Sequence, residues 1–83
     1  MNTTIRPLSL IATEIESNWS KLGKGVNYAA KPYLQAMKTL VSIDDPYGYD
    51  SGKSIVLYFL CNAGSWRGEV ARRVKLELKD MLN

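Results

Sequence analysis

The sequence predicts an all-α fold: a compact four-helix single domain, residues 1–83, with a central hydrophobic third helix. Three observations lead there. Apolar residues recur every three to four positions in three separate stretches, the period of a helix with one buried face. Glycine, proline, asparagine and serine fall between those stretches, where chain breaks need them. The segment Ile55-Val56-Leu57-Tyr58-Phe59-Leu60 has the β-branched and aromatic composition of a strand, but no other segment offers it a partner. An isolated strand leaves its backbone unsatisfied, so a helix is the better expectation, with strand pairing across a homodimer as the alternative.

The first helix is expected from about Pro7 to Leu22. Leu8, Ile11, Ala12, Ile15, Trp19 and Leu22 share one face, Pro7 suits a first turn, and Gly23 with Gly25 ends the run. Residues 1–6 precede it and are expected to be flexible. Asn27 is a plausible cap, Ala29-Ala30 a short separate turn, and the second helix begins near Pro32, which a helix interior would not tolerate. Tyr33, Leu34, Met37, Leu40 and Val41 form its stripe, ending around Ser42.

Ile43 to Ser54 is the main loop, dense in turn formers: Asp44, Asp45, Pro46, Gly48, Asp50, Ser51 and Gly52. Asp44 or Asp45 would start a turn, and Asp50 or Ser51 would cap the third helix. That helix is apolar all round, as expected of one covered by its neighbours on every side. Asn62-Ala63-Gly64-Ser65 breaks the chain. Ser65 then caps a last helix from Trp66 to about Leu82, with Val70, Val74, Leu78, Met81 and Leu82 inward and Glu69–Arg73 as an i,i+4 pair.

Composition narrows the function classes. With 46% hydrophobic and 23% charged residues the chain has the balance of a folded globular protein. Its longest apolar run, Ile55 to Cys61, is far short of the roughly 20 residues that cross a bilayer, so no membrane partner is expected. One cysteine, Cys61, and no apolar leader segment near Met1 point to a cytoplasmic protein. A net charge of +3 permits nucleic-acid binding without requiring it.

Catalysis is not expected. The chain has no histidine, which removes the common general base and the usual triads, and Cys61 lies in an apolar run as a structural residue. Zinc lacks its ligand cluster, and Asp44, Asp45 and Asp50 do not follow the calcium-loop spacing, so neither metal nor cofactor is expected. Gly52-Lys53-Ser54 imitates the end of a phosphate-binding loop, but Tyr47 stands where that pattern needs its first glycine. A helix start at Lys53 would nonetheless suit an anion.

Two binding surfaces are therefore expected, in order of preference. Tyr28, Tyr33, Tyr47, Tyr49 and Trp66 all fall near turns or helix ends, and with Arg67 they make a loop-centred aromatic patch suited to a protein partner, a second copy of the chain included. This is the surface of a small adaptor or regulatory domain. The alternative reads the last two helices as a helix-turn-helix-like unit, with Arg67, Arg72, Arg73, Lys75 and Lys79 on nucleic acid. Glu69, Glu77 and Asp80 interrupt that basic run.

Overall fold

Leu8, Ile11, Ala12, Ile15 and Trp19 are all buried, and they draw the first helix, α1 (Leu8–Trp19), onto the rest of the chain. The structure is a computed structural model, and it describes residues 5–83. Behind α1 follow a 3-10 turn (Tyr28–Ala30), α2 (Lys31–Met37), a two-stranded hairpin of β1 (Pro46–Tyr47) and β2 (Asp50–Ser51), α3 (Gly52–Cys61) and α4 (Glu69–Leu82). The fold is compact and mostly helical, with four helices among the described residues and a minimal sheet that the sequence did not announce. Among the described residues no helix is long and apolar enough to cross a membrane.

The expected centrality of the third helix does not hold. The molecule is a slab of 35 × 32 × 18 Å, and with helix axes packing about 8–10 Å apart its short dimension holds only two layers. No helix can be covered on every side in such a body. Accordingly α3 buries Ile55, Val56 and Phe59 but leaves Leu57, Tyr58 and Cys61 exposed, so Cys61 is not a core thiol. Ile55–Leu60 is nevertheless helical, and the alternative of strand pairing falls away.

The centre of the core is aromatic. Trp19 from α1 stacks on Trp66, with ring centroids 5.8 Å apart, and Phe59 from α3 meets both edge-on. Trp66 is not in α4, as expected, but in the connector Asn62–Gly68. Its indole N–H donates to Asn18 Oδ1 at 2.9 Å. Turning that ring inward displaces the helix start to Glu69, after Gly68 at a φ of 114°, and Ser65 makes no capping bond.

Two other helix ends differ from expectation for a shared reason. α1 stops at Trp19 rather than Leu22, because Lys21 and Leu22 bond three residues back and tighten into a turn closed by Gly25. α2 stops at Met37 rather than Ser42. Thr39 and Leu40 likewise bond three residues back, to Ala36 and Met37, and the Asp45 carboxylate then accepts the N–H groups of Val41 and Ser42 at 2.9 and 3.0 Å. The freed carbonyls of Leu40 and Val41 then accept from Ser9 and Leu8, the first N–H groups of α1. Val41 is left exposed, not part of an apolar stripe.

Local expectations fare better. Asn27 caps the short turn by accepting from Ala29, Asp45 organises the turn after α2, and Ser51 caps α3 by accepting from Ser54. The hairpin pairs Tyr47 with Asp50 across Gly48 and Tyr49. Only Gly48, with a φ of 61°, has positive φ, the pattern of a type II′ turn with glycine first. At Gly52 the backbones meet so closely that an added Cβ would lie 2.6 Å from Ser42 O.

Of the stretch expected to be flexible, residues 1–4 lie outside the described residues. Arg6 is not free. Its guanidinium grips Glu77 through Nε at 2.9 Å and Nη2 at 2.6 Å, and also reaches Glu14 at 2.9 Å, tying the N-terminal segment to α4.

Candidate functional site

The two expected surfaces fare differently once folded. The aromatic set is dispersed. Trp66 is fully buried, so it cannot serve as a contact residue. Tyr33 is half-buried and packs on Tyr58, centroids 5.6 Å apart, where α2 meets α3. Tyr47 and Tyr49 ride on the hairpin, Tyr49 wholly exposed. Tyr28 stands 85% exposed on the 3-10 turn and shares the rim of a hollow with Arg67 and Lys24. Of the expected patch, Tyr28 shares one hollow with Arg67, and Trp66 borders a second one with Arg67.

The basic set is sorted rather than dispersed. Along α4 the buried face carries Ala71, Val74 and Leu78. Arg72, Lys75 and Lys79 are spaced by three and four residues, which stacks them on one edge of the helix beside that face. Arg67, in the connector, borders the same shallow hollow as Arg72 and Lys75, with Gly64 and Gly68 in its wall. Arg73 falls on the opposite edge, where its guanidinium pairs with Glu14 instead of the expected Glu69.

The acidic interruptions seen along the sequence are sorted as well. Glu77 turns to the Arg73 side of α4 and is held by Arg6. Glu69 and Asp80 are exposed on the outer face, near Leu76 on the helical wheel. Among the described residues, Arg67, Arg72, Lys75 and Lys79 form no ion pair; the pairs present are Arg6–Glu14, Arg6–Glu77, Arg73–Glu14 and Lys38–Glu16. The basic edge is four cations without a neutralising carboxylate.

Lys75 anchors this edge to the fold. Its Nζ donates to the carbonyls of Ala63 and Trp66, both at 2.7 Å, and lies 5.9 Å from the centroid of the Trp66 ring. Burial lowers its pKa from the usual lysine value, and the charges of Lys79 and Arg67 lower it further. Those like charges acting on one ammonium mark the edge as a region of positive potential.

On the far side of α4 the charges are paired. The Arg73 guanidinium, followed by Arg6, holds the Glu14 carboxyl below its ordinary value against the opposing effect of burial. Asp45 is likewise held low, by the backbone N–H groups of Ser42 and Val41. Nor is the start of α3 an open anion site. The N–H groups of Gly52, Lys53 and Ser54 donate to Asp45 O, Ile43 O and Ser51 Oγ respectively. Glycine at position 52 serves a close backbone crossing, which explains the phosphate-loop likeness of Gly52-Lys53-Ser54 without a ligand.

The helix-turn-helix outline is also not reproduced. The connector Asn62–Gly68 is longer than the 3–4-residue turn of that motif, and Trp66 pins it into the core. Lys24 is the residue that reading the sequence overlooked. Its signal was its place between Gly23 and Gly25, at the tip of the turn after α1, and only the fold brings that tip beside Arg67. No protein-family model matches the chain, and no curated protein or solved structure matches it either.

Proposed function

We propose that this protein is a small, non-enzymatic binding domain whose basic edge holds a polyanion, nucleic acid being the class its charge spacing suits. The observation that carries the reading is the unneutralised row of Arg67, Arg72, Lys75 and Lys79, beside a helix whose remaining arginine and inner glutamate are paired elsewhere. Cations along one edge follow a phosphate backbone and gain affinity by releasing its counterions. A binding role also suits a chain without histidine whose Glu14, Glu16, Glu77 and Asp45 are engaged by cations or backbone N–H groups. A reducing, cytoplasmic setting accords with the lone thiol of Cys61 lying exposed on α3.

Fluorescence anisotropy of labelled DNA and RNA, titrated at 50 and 200 mM salt, tests this reading. With Lys75 bonded to the connector, phosphate contacts from Arg67, Arg72 and Lys79 predict a log–log salt slope of about −2 to −3. Arg72→Glu with Lys79→Glu, both on exposed positions, should abolish binding without lowering the melting temperature. Binding unchanged by that double substitution would overturn the proposal.

A second reading, a protein partner or a second copy of the chain held by the hairpin, has one observation in its favour. Tyr49 is fully exposed and Tyr47 is 43% exposed on a turn braced against α3. Tyr47→Ala with Tyr49→Ala should then leave the fold intact while abolishing partner capture or self-association in sedimentation.

A further inference from the structure

We infer that the nucleic acid taken by this edge is single-stranded, and that Tyr28 is the platform on which one of its bases stacks. The inference rests on the basic-edge reading above and adds the substrate class to it. The hollow between the end of α1 and the connector is lined mainly by apolar surface, with Trp19 and Leu22 in its wall and Lys24, Tyr28 and Arg67 around it. Arg67 also borders the hollow of Arg72 and Lys75, so the apolar depression and the cationic edge are continuous through that one residue. An anionic backbone following the edge would bring its bases to the depression.

Tyr28 is held, not dangling. Asn27, the residue before it, accepts from Ala29 N–H and donates through Nδ2 to the carbonyl of Asn62 at 3.2 Å. That bond ties the turn bearing Tyr28 to the connector bearing Arg67. The ring itself remains 85% exposed, although its backbone sits in an ordered 3-10 turn. A solvated aromatic ring on an ordered turn, lining the same hollow as two cations, matches what single-strand binding uses: stacking on a π-face plus a charged track for phosphates.

Duplex is the poorer fit. In a duplex the base faces are covered by one another, so Tyr28 would have nothing to stack on. The middle of the exposed outer face of α4, the part able to enter a major groove, carries Glu69, Leu76 and Asp80, with Arg72 on one flank and Arg73, paired with Glu14, on the other. The cations sit instead along the edge next to the connector, with Lys75 bonded to it.

The test compares labelled oligothymidine and oligouridine, a DNA duplex of the same length, and size-matched heparin, each titrated by anisotropy with the full chain. Four proteins are used: wild type, Tyr28→Ala, Tyr28→Phe and Arg72→Glu/Lys79→Glu. Wild type should bind the single strands at least about tenfold more tightly than the duplex. Tyr28→Ala should lose about five- to a hundredfold on single strands and nothing on heparin, while Tyr28→Phe keeps the affinity. Equal loss on heparin, no loss on single strands, or duplex binding as tight as single-strand binding would overturn the inference. Heparin binding lost only in the double glutamate variant would still sustain the basic edge, and absence of all binding would remove both. Thermal melts of all four proteins confirm that exposed substitutions leave the fold intact.

Discussion

Trp66 lies on Trp19 with the two ring planes 20° from parallel, and its indole N–H is bonded to Asn18, the neighbour of the tryptophan it stacks on. One connector residue therefore locks onto two consecutive positions at the end of α1. It also positions Arg67, the next residue in the chain, at the junction of the two hollows. The candidate site depends on a core contact.

Removing that contact should unfold the protein readily. Trp66→Ala is expected to cost about 3–5 kcal/mol, a large part of the stability of so small a domain. Trp66→Phe, which keeps a ring against Trp19 but loses the bond to Asn18, should cost less. Urea unfolding monitored by circular dichroism measures both, and an unchanged midpoint for Trp66→Ala would contradict the stacked core.

Gly52 opens α3, where alanine would ordinarily favour a helix. Here an added methyl group would meet Ser42 O at 2.6 Å and Ile43 Cα at 2.8 Å. Gly52→Ala should destabilise by about 1–3 kcal/mol. Gly64→Ala is the control, because its Cβ would have no neighbour within 4 Å and its φ is not positive. That substitution should stay within about 0.5 kcal/mol of wild type.

Acid should weaken the clasp between α1, α4 and the N-terminal segment. Glu14 has a native pKa below its ordinary value of 4.5, so the unfolded state binds the proton first as pH falls. The contribution of Glu14 is present above that ordinary value and disappears as pH drops through the lowered native one. Glu14→Gln should therefore be less stable than wild type at pH 7, with the gap closing below pH 4.5. Denaturant midpoints at pH 7, 4 and 3 give the comparison, and a gap that stays constant would speak against the pairing with Arg73 and Arg6.

Lys75→Met keeps the apolar stem and removes the ammonium that bridges Ala63 O and Trp66 O. Losing these bonds should cost about 1–2 kcal/mol, less whatever is regained from burying no charge and relieving repulsion by Lys79 and Arg67. Amide exchange should quicken first in Asn62–Gly68. Exchange that quickens only in α4 would show that the bridge does not hold the connector.

Much of this was legible before folding, and the legible parts are local. The caps at Asn27 and Ser51 depend on a side chain meeting an N–H two or three residues on, and the α1 stripe depends on spacing alone. The end of α2 was not legible in the same way. Leu40 and Val41 continue an apolar pattern, but Thr39 and Leu40 bond only three residues back, Asp45 captures the next two N–H groups, and the first N–H groups of α1 donate to the carbonyls of Leu40 and Val41. The aromatic patch failed for a related reason. A tryptophan beside a turn reads the same whether it faces solvent or core, and the large apolar area of Trp66 was worth more against Trp19 and Phe59.

By itself the sequence determined which stretches are helical, though not where each helix ends, because apolar period, capping side chains and turn residues act within a few positions. It also set which charges the last helix could offer. Only the tertiary structure decided which of them remain available. Packing turned one edge of α4 toward Glu14 and Arg6, where Arg73 and Glu77 are neutralised, and left Arg72, Lys75 and Lys79 beside Arg67 on the other. Neutralisation depends on distances between residues far apart in the chain, and those distances exist only once the core has closed.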